Sequence, residues 1–91
     1  MKTVEIHVSG RVQSVGFRAC TRKVATHLGI TGEVMNLPDG RVRICASADP
    51  ALLDKFISLL HECPRVVIRS LSITEREPHS YPGFSIRRVT E

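Results

Sequence analysis

Nine residues, Gly10-Arg11-Val12-Gln13-Ser14-Val15-Gly16-Phe17-Arg18, stand between a run of alternating apolar side chains and a run with helical spacing. A strand, a glycine-bearing loop and a helix start, in that order, make an anion cradle. The N–H groups of such a loop and of the first helical turn lack intrahelical partners and converge on one point, where the helix dipole adds positive potential. Arg18 brings a full charge to the same end. The lysine and hydroxyl that close a Walker loop are missing, and so is the GxGxxG spacing of a dinucleotide fingerprint. A phosphate-sized guest other than a nucleotide is therefore expected.

The flanking segments set the architecture. Val4, Ile6 and Val8 alternate with Glu5, His7 and Ser9, which predicts a strand over residues 3–9 with one face buried. Phe17, Cys20, Val24 and Leu28 then fall at helical intervals with Ala25 alongside, and Gly29 supplies a left-handed stop. Ile30 to Asn36 is expected to be a short strand, and Leu37-Pro38-Asp39-Gly40 a hairpin turn. Val42, Ile44 and Ala46 give a third strand. Asp49 and Pro50 suit the N-cap and first position of a second helix. That helix buries Leu52, Phe56, Leu59 and Leu60, flanked by Leu53 and Ile57, and Pro64 stops it. Residues 66–77 predict a fourth strand, and Phe84, Ile86 and Val89 a short last one after the Pro78–Gly83 loop. The order β, α, β, β, α, β plus a short strand implies two right-handed crossovers around a hairpin. The expected fold class is α+β, a ferredoxin-like split β-α-β sandwich with two helices on one face of a mainly antiparallel sheet.

Composition narrows the function classes. Ninety-one residues suffice for one domain, expected to span 1–91, and 42% hydrophobic with 24% charged residues fits a folded globular chain. Apolar runs fall short of the roughly 20 residues of a membrane span, and the start lacks a signal-peptide core, so no membrane association and a cytoplasmic address are expected. Cys20, Cys45 and Cys63 are odd in number, far apart and set among apolar neighbours, which suits reduced, buried thiols. No Cys or His pair has metal-ligand spacing, so no metal is expected. The net charge of +4 gathers around the loop at Arg11, Arg18, Arg22 and Lys23, while Arg87 and Arg88 lie at the other end of the chain. An anionic small molecule fits that distribution. A base-stacking sheet does not, because three Phe, one Tyr and no Trp leave too few aromatics, so no nucleic-acid partner is expected.

With these residues in hand, the chain resembles the acylphosphatase family, whose first signature is close to GRVQGVGFR and whose second passes through an asparagine into a turn glycine. The first appears as Gly10 to Arg18 with Ser14 in place of a glycine, and the second as Gly32-Glu33-Val34-Met35-Asn36-Leu37-Pro38-Asp39-Gly40-Arg41-Val42. The resemblance covers nearly the whole chain, through Gly83-Phe84-Ser85-Ile86-Arg87. It implies hydrolysis of small acyl phosphates to a carboxylate and inorganic phosphate, by a monomer with neither metal nor organic cofactor. The family's arginine falls on Arg18, as phosphate clamp. Its loop amides fall on Val12, Gln13, Ser14, Val15, Gly16 and Phe17, and its asparagine on Asn36, as holder of the attacking water.

Three departures from the family pattern stand out, of which Ser14 and Glu33 motivate an alternative of another class, a non-catalytic phosphate or carbamoyl-phosphate binding module. Ser14 replaces the loop glycine, Glu33 an aromatic residue, and Ala48 a glycine after the third strand. A loop that needs positive φ at position 14 would carry on the order of 1 kcal/mol of strain with serine there. Glu33, if it faced the site, would repel the substrate.

Overall fold

The computed structural model describes residues 1–88. The alternation at the start of the chain produces strand β1 (Lys2–Arg11), with Val4, Ile6 and Val8 in the core and Glu5, His7 and Ser9 on the opposite face. Helix α1 (Phe17–Leu28) buries Phe17, Thr21 and Ala25 along one stripe. It ends at Gly29, left-handed at φ 74°, after which the Ile30 N–H returns to the Ala25 carbonyl at 2.8 Å. Strands β2 (Thr31–Asn36) and β3 (Val42–Ala48) close the expected hairpin. In its turn the Gly40 N–H donates to Leu37 O at 3.1 Å, and Asp39 accepts the backbone N–H and Nε of Arg41.

Helix α2 (Pro50–Leu60) starts after Asp49 as expected, but the cap is made by the backbone: Leu52 and Leu53 donate to the Asp49 carbonyl, and its carboxylate takes no part. Leu53, Phe56 and Leu60 fill the core beneath it. Strands β4 (Val67–Arg76) and β5 (Phe84–Arg87) follow; Val89, expected in the last strand, lies outside the described residues.

The sheet order is β4-β1-β3-β2-β5, antiparallel throughout except where β5 runs parallel to β2. Both helices cover the aliphatic face, giving the ferredoxin-like α+β sandwich. Because β1 and β2 both run antiparallel to β3, their C-terminal ends meet at one end of the sheet, bringing the Gly10–Arg18 loop beside Asn36. On the uncovered face Glu5 accepts Arg76 Nε at 2.9 Å and Arg43 Nε at 3.2 Å. Residues 77–83 cross one margin of that face, where the His79 N–H donates to Thr3 Oγ1 and Ser47 Oγ donates to the His79 carbonyl.

The cysteine expectation needs correction. Cys20 of α1 and Cys63, in the loop after α2, are joined in a disulfide, and only Cys45 is a buried free thiol. The helical spacing of Cys20 with Val24 does place it toward the core side; what sequence spacing conceals is that the end of α2 packs against the start of α1 there. Burial pushes the Cys45 thiol above its ordinary pKa.

Candidate active site

The loop between β1 and α1 is bent by two left-handed residues, Ser14 at φ 62° and Gly16 at φ 79°. Gly16 is the N-cap of α1 and no side chain caps the helix, so the first-turn N–H groups are left to an outside acceptor. The first intrahelical bond runs from the Cys20 N–H to Gly16 O at 3.1 Å. Serine has a Cβ that the left-handed region disfavours, so position 14 does carry the conformational cost its sequence suggested.

Beside this bend lies a cavity of about 190 Å³. Val12, Ser14, Gly16 and Phe17 form its loop side, Arg18 and Ala19 its helix side, and Asn36, Ile86 and Arg88 its far wall. It is smaller than the roughly 300–1,000 Å³ of pockets that enclose drug-sized ligands, so a compact anion fits and a larger appendage would project from the mouth. Asn36 lies on the aliphatic face of β2, two residues beyond the buried Val34, at the strand end nearest the loop. Its Oδ1 is buried and has no hydrogen-bond partner among the described residues. A buried acceptor left unpaired costs about 1–3 kcal/mol, a cost that recurs where a site awaits a ligand. Arg18 is half-buried and forms no ion pair among the described residues.

Not every expected loop residue faces the cavity. Val15 packs its side chain on the hydrophobic core, and Gln13 turns its amide away to donate to the carbonyls of Leu37 and Arg41. Both contribute backbone to the bend. Glu33 points to the other face of the sheet, where it pairs with Arg87 at 3.0 Å, so it does not confront an anion in the cavity. A larger hollow of about 560 Å³ lies under residues 79–83 against Gly32 and Glu33, at the opposite end of β2 from Asn36. Its Arg87 and Glu33 already satisfy each other.

Ile86 and Arg88 were not foreseen as wall residues. They arrive because β5 pairs in parallel with β2, Val34 opposite Ile86 and Met35 opposite Arg87, which carries the next residue toward Asn36. Among the described residues no group of three or more His, Cys, Asp and Glu side chains is placed to hold a metal ion, and no helix is long and apolar enough to cross a membrane.

A ferredoxin-like sandwich with a helix start that no side chain caps, a guanidinium and, among the described residues, an unpaired amide oxygen around one small cavity defines a class of small α+β domains built to offer an anion a seat. Comparison with known proteins makes this specific. The acylphosphatase family model matches residues 4–86. The acylphosphatase of Methanocella arvoryzae is 46% identical over 88 residues, covering 96% of this chain and all of that protein. That of Archaeoglobus fulgidus is also 46% identical, over 94% of this chain and 98% of its own. The crystal structure of acylphosphatase from Bacillus subtilis superposes with a TM-score of 0.91 at 35% identity, covering 96% of this chain and 99% of that one. The chain belongs to the acylphosphatase family, and with it to the hydrolases.

Proposed function

We propose that the protein, acting as one domain across residues 1–91, cleaves the carboxyl–phosphate bond of small acyl phosphates. The phosphoryl group sits in the bend between Val12 and Phe17, where backbone N–H groups of the loop and of the first turn of α1 take its oxygens. Arg18 clamps two of them in bidentate fashion. Asn36 Oδ1 accepts a hydrogen bond from a water and holds its oxygen in line with the phosphorus, opposite the departing carboxylate.

The P–O bond to the acyl oxygen breaks as the water oxygen bonds to phosphorus. The water's proton passes to a phosphate oxygen, and the products are a carboxylate and inorganic phosphate. The carboxylate leaves readily, so the proposed chemistry needs charge stabilisation and alignment more than a strong base, and neither metal nor cofactor is called on. The observation that carries this assignment is the buried Asn36 Oδ1, without a hydrogen-bond partner among the described residues, in the same cavity as Arg18. The test is turnover of benzoyl phosphate by the unmodified protein beside Arg18→Ala and Asn36→Ala, with circular dichroism on each. Losses of about 10²- to 10³-fold in both folded variants support the assignment, and variants that keep full turnover overturn it.

The left-handed Ser14 supports a second reading, a module that binds phosphate or carbamoyl phosphate without turning it over. Saturable phosphate binding with no hydrolysis, restored by Ser14→Gly, would favour it. The same proposal makes the chain a cytoplasmic monomer that takes no nucleic acid. Sedimentation, a gel shift with single-stranded RNA at moderate salt, and fractionation with thiol-blocked lysis to read the Cys20–Cys63 bond test those three points.

A further inference from the structure

Arg65 is the second non-glycine residue with a left-handed backbone, at φ 64°. L residues hold that conformation only where their surroundings impose it. Here the imposition is visible. Two residues earlier Cys63 is buried and bonded to Cys20 in the second turn-forming stretch of α1, and the Val66 N–H closes back on the Cys63 carbonyl. The loop after α2 is thus fastened to the helix whose first residues line the cavity.

From this backbone the Arg65 side chain reaches Gly16. A Cβ built on Gly16 would stand 3.8 Å from Arg65 Nη2, so the guanidinium borders the residue that both caps α1 and lines the cavity. Arg65 forms no ion pair among the described residues, and neither does Arg18. Arg18 and Gly16 line the same cavity and the Arg65 guanidinium borders Gly16, so a dianion held at the bend attracts both cations. We propose that Arg65 is a second phosphate-directed cation of this site, a positioning residue that draws the phosphoryl group onto the bend and steadies it there. The proposal rests on the phosphate-binding part of the function proposed above, and assigns Arg65 to ground-state binding beside the clamp at Arg18.

The probe is inorganic phosphate, its Kd measured by calorimetry at low and at high salt, beside benzoyl phosphate kinetics. Asn tolerates the left-handed region and Gly has no preference against it, so Arg65→Asn and Arg65→Gly remove the charge without new backbone strain. Each is expected to raise the phosphate Kd about three- to tenfold at low ionic strength, with the gap narrowing in ~0.5 M salt. Arg65→Lys is expected to recover most of the affinity. In turnover the change falls on KM more than on kcat. A role confined to the backbone would move melting temperature and leave the phosphate Kd alone, so a Kd within twofold of the unmodified protein in both neutral variants overturns the proposal. A protein that fails to hydrolyse benzoyl phosphate yet binds phosphate in an Arg65-dependent way removes the catalytic proposal and keeps this one. Turnover with a phosphate Kd indifferent to residue 65 does the reverse.

Discussion

The Nε2 of Gln13 donates to the carbonyl of Leu37 at 2.8 Å, and the same nitrogen reaches Arg41 O at 2.9 Å. One amide thus ties the anion loop to both sides of the turn that follows Asn36, fixing the distance between the two halves of the site. Gln13→Ala is expected to lower kcat/KM for benzoyl phosphate by about tenfold through misalignment, and stability by about 1–2 kcal/mol. Gln13→Glu should be worse on both counts, because a carboxylate there faces two carbonyl oxygens. Steady-state kinetics beside urea denaturation check the pair.

Asn36 offers an opposite signature. Its Oδ1 lacks a partner among the described residues, so Asn36→Ala deletes an unsatisfied acceptor instead of a formed bond. The expected outcome is a turnover loss of about 10²-fold or more with unfolding free energy unchanged to within about 1 kcal/mol. Parallel loss of fold and activity would assign Asn36 to the scaffold.

Ser14 is held at φ 62°, where glycine is at ease. Ser14→Gly relieves the left-handed penalty but frees the unfolded chain, so the net gain is expected to be about 0.5–1 kcal/mol. Ser14→Val, β-branched at the same φ, should lose more than that. Urea midpoints for the two variants measure both.

The Cys20–Cys63 bond closes a loop with a sequence separation of 43. Loop-closure entropy at that length is worth on the order of 4 kcal/mol. Reduction with dithiothreitol is therefore expected to lower the melting temperature by about 15 °C or more, and Cys45→Ala to leave that dependence on reductant in place. A melting curve indifferent to reductant would place the two sulfurs apart.

On the uncovered sheet face, burial pushes the Glu5 carboxyl up, but hydrogen bonds and charge from Arg76 and Arg43 outweigh it and hold the folded pKa below the ordinary value. The carboxylate form is thus favoured by folding, and the stability it brings is present above the unfolded pKa of about 4.3 and lost as pH falls through the lower folded value. Glu5→Gln is expected to flatten the acid limb of the stability curve below about pH 4 and to cost about 1 kcal/mol at pH 7, since Arg76 is half exposed and its bond is screened. Denaturation series at pH 3, 5 and 7 test the sign.

Local pattern carried most of the fold. Val4, Ile6 and Val8 announced β1, and Phe17 to Leu28 with Gly29 gave α1 its observed bounds. The polar tail of β4, almost wholly exposed, was still legible from its short apolar start. Of the candidate site, the bend and Arg18 were legible from one contiguous segment at a strand end and a helix start, whereas Asn36 was singled out only through the resemblance to the acylphosphatase signature. What sequence spacing did not disclose depended on packing between distant segments: the meeting of Cys20 with Cys63, the route of Arg65 to Gly16, and the arrival of Ile86 and Arg88 through a parallel pairing with β2.

That parallel pairing makes one wall of the cavity depend on a strand at the margin of the sheet. Strand β5 is an edge strand of the sheet, yet it supplies part of the wall that faces Asn36. A protein clipped by a protease in the exposed 77–83 connection, so that β5 comes away, would hold a formed bend and helix around a half-open vessel. Competence to grip a ligand is thus expected to depend on an edge strand staying docked.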